Sequence, residues 1–164
     1  MDDDERSQIV NTKKSSELFS LANKVVVVTG GAGLLGQVFC QALVDVGAHV
    51  AIVDLDLASA ETVAKKINKS GEQRVIAFGS DITSPESVTQ MVENVVKQLG
   101  RIDVLVNNAA SKGSSLDAFF ESFEDYSLKT WREVMSVNID GLFLVAQAVG
   151  KQMKKQGGGS IIQT

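Results

Sequence analysis

Five short apolar runs without polar alternation recur along this chain, separated by stretches of helical spacing: Val25-Val26-Val27-Val28, His49 to Val53, Val75 to Phe78, Ile102 to Val106, and Ile161-Ile162. A strand that is apolar at successive positions buries both its faces, which is the condition of a parallel sheet covered by helices on each side. The segments between the runs supply those helices. Val88, Met91, Val92, Val95, Val96 and Leu99 fall at i, i+3, i+4, i+7, i+8 and i+11 and form one apolar stripe. Ser84 precedes this stripe as an N-cap, Pro85 occupies the first helical position, and Gly100 stands just past the end. Further helices are predicted from Leu35 to Val46 ending at Gly47, from Ser59 to Ile67 ending near Gly71, and from about Leu128 to Lys155 ending at Gly157-Gly158-Gly159. The order β-α-β-α-β-α-β-α-β, with right-handed crossovers, predicts an α/β fold with a doubly wound parallel sheet. Residues 1 to 22 are polar and lack a sustained period. They read as a flexible arm, docking only at Leu18-Phe19-Ser20-Leu21, ahead of one domain spanning 23–164.

Composition narrows the classes of function. With 164 residues, 44% of them hydrophobic, the chain is long enough to bury a core. A single cysteine excludes an internal disulfide, and the longest apolar runs fall short of the ~18 to 20 residues a bilayer span requires. The start Met1-Asp2-Asp3-Asp4-Glu5 is acidic where a secretory signal is basic and then apolar, so a cytoplasmic setting is expected. A net charge of −4 with no Lys/Arg stripe argues against nucleic acid as a partner. Neither a membrane nor a metal is expected, since no His/Cys/Asp cluster has ligand spacing.

The first strand runs into Thr29-Gly30-Gly31-Ala32-Gly33-Leu34-Leu35-Gly36 and then into a helix. Glycines at such a turn bring backbone amides close to a diphosphate and let helix and strand pack closely, while the helix N-terminus adds partial positive charge and unpaired donors. Asp54 ends the second strand 18 residues after Gly36, where a carboxylate can accept both hydroxyls of an adenosine ribose. Asp56 follows, and no Lys or Arg occurs until Lys65. A 2′-phosphate there would face carboxylates, so the pattern favours NAD over NADP.

Thr29-Gly30 through Gly36, Asp81-Ile82 after the third strand, Asn107-Asn108-Ala109-Ala110 after the fourth, and Trp131 with Val137-Asn138-Ile139-Asp140-Gly141 together resemble the short-chain dehydrogenase/reductase family. The resemblance runs from about Leu18 to Thr164. It implies a three-layer Rossmann-type fold and hydride transfer between NAD(H) and an alcohol or carbonyl carbon of a small molecule, with sugars among the candidates. The residues it marks at the cofactor are Gly30, Gly31, Gly33, Leu34, Leu35, Gly36, Asp54, Leu55, Asp81, Ile82, Asn107, Asn108, Ala109 and Ala110. Asp81 and Ile82 are expected at the adenine. Asn107 and Ala109 are expected along the ribose and nicotinamide side, with Asn107 also stabilising the central strand. Asn138 matches the family's active-site asparagine, which bends its helix and holds a water in the proton relay.

Two departures stand out. The spacing Thr-Gly-x-x-Gly-x-x-Gly is commoner in the sugar-nucleotide epimerase and dehydratase branch, which stays open as an alternative alongside a non-catalytic dinucleotide-binding module. The stretch from Ser111 to Lys129 is also longer than usual. Its Phe119, Phe120, Phe123 and Tyr126 are expected to pin a loop onto the sheet, a substrate-facing flap being the other reading.

The family's catalytic serine and Tyr-x-x-x-Lys pair follow the fifth strand, and this sequence stops at Gly159-Ser160-Ile161-Ile162-Gln163-Thr164. The expectation is a cofactor-binding fragment, inactive alone, of a parent enzyme that is itself a homo-oligomer. An apolar helix face and an open sheet edge should then be exposed, leaving the chain marginally stable or oligomeric. Tyr126, His49 and Ser160 are read as structural, and Cys40 as a core residue.

Overall fold

The computed structural model describes residues 19–68 and 73–164. Five parallel strands, β1 (Val25–Thr29), β2 (His49–Asp54), β3 (Val75–Gly79), β4 (Val104–Asn107) and β5 (Ser160–Gln163), form one sheet in the order β3-β2-β1-β4-β5. Val26 pairs with Val50 on one side and Val104 on the other, so β1 lies at the centre. Every residue of β1 is buried, as its unalternated valines require. The helices are α1 (Leu34–Asp45), α2 (Leu57–Ile67), α3 (Pro85–Leu99), a short α4 (Leu116–Phe119), α5 (Leu128–Met135) and α6 (Leu142–Gln156).

The pleat divides the core in two. Val26, Val28, Val50 and Ile52 pack with Cys40 of α1 and with Ala60, Val63 and Ala64 of α2. Val25, Val27, Ala51 and Val53 pack on the other face with Val88, Met91 and Val95 of α3 and with Val145, Val149 and Met153 of α6. This is a Rossmann-type doubly wound sheet. Leu21 of the amino-terminal segment packs at the rim of the first layer, and its N–H donates to the Val46 carbonyl at 2.8 Å. Phe19 is mostly exposed, and Leu18, with the rest of residues 1–18, lies outside the described residues, as does Gly71.

Several boundaries differ from the sequence expectation for identifiable reasons. Helix α2 starts two residues before Ser59 because Asp56 is its N-cap, accepting from the N–H groups of Ala58 and Ser59. Strand β4 starts at Val104, since Asp103 turns its carboxylate to the N–H of Val25 at 3.0 Å. The long helix is continuous from Leu128 to Gln156 but widens into a π-helical turn at Ser136–Gly141. By length and composition alone this 29-residue helix could span a bilayer, contrary to the expectation from the apolar runs; Val134, Val145, Val149 and Met153 are instead buried within the fold. The Phe cluster does not pin its loop to the sheet. Phe119 and Phe120 meet edge-on, 5.1 Å between centroids, while Phe120 and Phe123 face solvent, so polar clasps described below hold that segment.

The outer margin is open. Ile161 and Ile162 on β5 are about half exposed. A groove of about 560 Å³ runs between α3 and α6, floored by residues such as Val92, Val96, Leu144 and Ala148.

Candidate functional site

The strand order reverses direction between β1 and β4, and beyond the carboxyl ends of the strands a parallel sheet leaves a crevice at such a switch point. A cleft of about 850 Å³ occupies that position, lined by the turn after β1, the ends of β2 and β3, and the segment after β4.

Two glycines of the turn, Gly30 and Gly36, leave no room for a side chain. Gly30 is left-handed (φ +62°), and a Cβ there would lie 2.9 Å from Ala109 Cα. A Cβ on Gly36 would overlap the Gly30 carbonyl oxygen. Gly31, expected at the cofactor, sits beneath the turn against Ile52 and outside the cleft lining.

The turn's own amides are also spent internally. Gly31 N–H donates to the Val53 carbonyl at 3.2 Å, Ala32 N–H to Asp54 Oδ2 at 3.0 Å, and Gly33 N–H to the Gly30 carbonyl at 3.1 Å. The donors left over belong to the first turn of α1. Its N-cap is Gly33, which has no side chain to accept from them, so the N–H groups of Leu34, Leu35 and Gly36 have no acceptor among the described residues. Three convergent amides at the positive end of a twelve-residue helix, opening into a cleft, suit a diphosphate.

Asp54 faces this turn. One carboxylate oxygen accepts from Ala32 and the other from the N–H of Asp56 at 3.2 Å, which fixes the group at the cleft wall with lone pairs to spare. Asp56 also borders the cleft, and its hydrogen bonds to the Ser59 hydroxyl and N–H hold its carboxyl below the ordinary range. Leu55 stands exposed beside them. At the end of β3, Asp81 accepts from the Thr83 hydroxyl and N–H, and Ile82 is buried under Gly141, whose Cβ would come within 2.8 Å of it. The glycine of the Val-Asn-x-x-Gly element thus lets the π-helical turn rest on Ile82.

The segment after β4 is fastened to the first turn by a threonine. Thr29, fully buried, donates its hydroxyl to Asn107 Oδ1 at 3.1 Å and accepts from the N–H groups of Asn108 and Ala109 at 3.0 and 3.1 Å. Asn107 gives its amide to the Leu142 carbonyl at 2.8 Å. Its side chain, expected along the cleft, is buried and bonded to β1 and α6, in keeping with the strand-stabilising role also expected of it. Asn108, Ala109 and Ala110 do line the cleft.

Asn138 lies in the π-helical turn and clasps Ser111 with both ends of its carboxamide, accepting from the Ser111 N–H at 2.7 Å and donating to its carbonyl at 3.1 Å. Glu133 repeats the clasp one turn earlier, accepting from the Ser114 hydroxyl at 2.8 Å and its N–H at 3.3 Å; these bonds hold its carboxyl below the usual carboxylate range. Thr29, Ser111 and Glu133 were not singled out as site residues from the sequence. A threonine before the glycine turn was the one available signal for them, and it means little until β1 and β4 are known to be neighbours.

The remaining residues carry no site. Ser160 opens β5 opposite Val104, at the far end of the sheet from the cleft. Lys129 reaches Glu133 at 3.8 Å and Tyr126 is outside the cleft lining, so these two do not form a Tyr–Lys pair there. Cys40 is fully buried, and burial pushes its thiol up to about 12. No group of three or more His, Cys, Asp or Glu side chains that could hold a metal occurs among the described residues.

A switch-point cleft with an uncapped helix N-terminus and a strand-end carboxylate, set on this parallel sheet, is the arrangement of a Rossmann-type α/β domain. Residues 24–164 match the short chain dehydrogenase family, and the chain belongs to it. It is 37% identical over 145 residues to the D-threitol dehydrogenase of Mycolicibacterium smegmatis, covering 88% of this chain and 53% of that protein. It is 34% identical over 144 residues to the NAD-dependent glycerol dehydrogenase of Listeria innocua, covering 88% and 53%. The crystal structure of an NAD+-bound xylitol dehydrogenase superposes with a TM-score of 0.79 at 31% identity, over 87% of this chain and 52% of that one. The chain thus spans about half the length of these relatives.

Proposed function

We propose that this chain is the NAD-binding portion of an oxidoreductase acting on a small polyhydroxylated alcohol or its carbonyl counterpart. The observation that carries the reading is the set of three unpaired amides at the start of α1 facing the same cleft as Asp54. Leu34, Leu35 and Gly36 hold the diphosphate through their N–H groups, and the Asp54 carboxylate accepts from the adenosine ribose hydroxyls. Asp56 adds a second negative charge beside it, so a 2′-phosphate is disfavoured by Coulomb repulsion as well as by lost hydrogen bonds. Ile82 offers an apolar surface to the adenine, with Asp81 beside it. The nicotinamide, when bound, supplies or accepts the hydride.

Asn138 acts in this scheme by holding the segment after β4 and by widening the helix that carries it, through the Ser111 clasp and the π-helical turn. Proton transfer in this scheme belongs to the family's serine and Tyr-x-x-x-Lys, and the protein acts as a homo-oligomer. The polyol substrate class is supported by the threitol, glycerol and xylitol dehydrogenases above.

The test is a fluorescence titration with NADH and NADPH. Binding of NADH at least tenfold tighter than NADPH is expected, with Asp54→Ala losing most of that ratio, because each tenfold step is about 1.4 kcal/mol, the size of one charge-assisted hydrogen bond. Equal affinity for the two cofactors in the unaltered protein would reject the NAD assignment, and no binding of either would reject the cofactor site.

A further inference from the structure

The cleft is electrically lopsided. Asp54, Asp56 and Asp81 border the end formed by β2 and β3, while Lys112, on the segment after β4, is the only lysine or arginine among the residues lining it. Lys112 has no ion-pair partner among the described residues, and its ammonium rests 5.5 Å from the centre of the Phe120 ring.

Its backbone is held from both sides. Asn138 grips Ser111 by its N–H and carbonyl, Glu133 grips Ser114 by its N–H and hydroxyl, and the Gly113 N–H donates to the Ser111 hydroxyl at 3.0 Å. Gly113 is left-handed (φ +75°), and a Cβ there would touch Glu133 Oε2 at 3.4 Å, so the close clasp depends on that residue. Lys112 is therefore an exposed cation on a fixed stalk, its head resting on a ring face whose attraction is only about 0.5–1 kcal/mol. A stronger anionic partner displaces it at small cost.

We propose that Lys112 is a specificity-determining residue that recognises an anionic substituent, a carboxylate or a phosphate ester, on the alcohol or carbonyl substrate. This rests on the NAD-binding reading above and adds the charge of the substrate to it. The diphosphate is not the anion in question. Its donors stand at the start of α1, whereas Lys112 lies three residues beyond Ala109, the residue that abuts Gly30, and its ammonium leans away over Phe120, which is not part of the cleft wall. With the cofactor bound, Asp54, Asp56 and Asp81 lie at its adenosine end, and Lys112 is the one cation of the cleft lining left to meet an acid group on the substrate.

The experiment uses the full chain loaded with NADH and reads cofactor fluorescence as D-glucitol, D-gluconate or D-glucitol 6-phosphate is added. Glucitol and gluconate differ only in the oxidation of one terminal carbon, and the third probe separates phosphate from carboxylate. Expected is a dissociation constant for one or both anions about three- to fivefold below that of glucitol, the size of a single exposed ion pair. Raising NaCl from about 50 to about 500 mM should erase this preference, because screening at that strength reaches exposed pairs. Lys112→Met should bring the anions to the level of glucitol, and Lys112→Arg should retain the preference, with NADH affinity unchanged within about twofold in both.

Equal binding of the three probes, no binding of any of them, or a preference that survives in Lys112→Met overturns the proposal. A drop in NADH affinity in Lys112→Met assigns the lysine to the cofactor instead and also overturns it. These results leave the cofactor reading standing, whereas failure of the unaltered protein to bind NADH removes both.

Discussion

At the amino ends of the strands the buried carboxylate of Asp103 is answered by its neighbours, and at the carboxyl ends a set of backbone donors is left open. Below the sheet, buried Asp103 accepts from Val25 N–H and from Arg101 at 2.8–3.0 Å, with Lys24 at 3.5 Å. Gln156 there bridges the Ile102 N–H and carbonyl and the Gly158 carbonyl. Above the sheet, Asp56, Ser84, Ser115 and Ser127 each cap a helix, whereas α1 begins on Gly33, which has no side chain; the other glycine N-cap, Gly141 of α6, continues the preceding π-helical turn. The contrast teaches where stability and binding are separable: a polar group closed on itself adds to folding, while one left open near a cleft is available to a ligand.

The largest effect should come from closing the open end. Gly33→Asp places a capping carboxylate over the free amides of α1 and opposes a diphosphate by charge, so NADH affinity should fall more than tenfold. Its Cβ would sit 3.2 Å from the Gly30 carbonyl, which offsets part of the cap's gain, so the melting temperature should stay within a few degrees. A variant that keeps its affinity would show that the open amides are not the ligand's donors.

Opening the closed end should do the reverse. Asp103→Ala leaves Val25 N–H and the Arg101 guanidinium without their acceptor and should cost about 1–3 kcal/mol in urea unfolding, with NADH affinity unchanged within about twofold. Burial pushes the Asp103 carboxyl up, but the Val25 hydrogen bond and the charges of Arg101 and Lys24 outweigh it and hold the group below its ordinary range. A lowered pKa means the stabilisation is present above the unfolded-state value of about 4 and disappears as pH falls through the folded one. The gap between wild type and Asp103→Ala should therefore be full at pH 7 and shrink below about pH 4. A gap that persists unchanged in acid would assign it to packing instead.

The smallest effect belongs to a cap at the same carboxyl end of the strands as the start of α1, but on the other face of the sheet and off the cleft wall. Ser84→Ala removes the acceptor for Ser87 N–H, 3.2 Å away, and should cost about 1 kcal/mol with no change in cofactor binding. A loss of NADH affinity comparable to that of Gly33→Asp would erase the distinction between the two helix starts.

Legibility from sequence followed the range of the interaction. The Ser84, Pro85 and Gly100 signals act within a few residues, and α3 runs between them as expected; Gly100 is left-handed at φ +84°. The valine runs gave the both-faces-buried sheet because burial demands are written at each position. Asp56 was read for its charge and missed as a cap, since a short-range hydrogen bond and a long-range field use the same carboxylate. Asn107 was expected along the cleft from its place in the Asn-Asn-Ala-Ala motif; successive residues at a strand end point to opposite sides, and its side chain turns inward to Thr29 and Leu142. The aromatic residues of the long loop suggested apolar anchoring, whereas Asn138 and Glu133, 19 or more residues away from the backbone they hold, supply it instead.

What the order of amino acids determined alone was the alternation of strands and helices, the depth of the core, and the presence of a side-chain-free entry to α1 beside an acid at the end of β2. Which amides remain open, which way Asp54 faces, and that one lysine stands across the cleft from three carboxylates were decided by tertiary structure. These depend on partners 20 to 80 residues apart, and only the packing of β1 between β2 and β4 brings such partners within hydrogen-bonding distance.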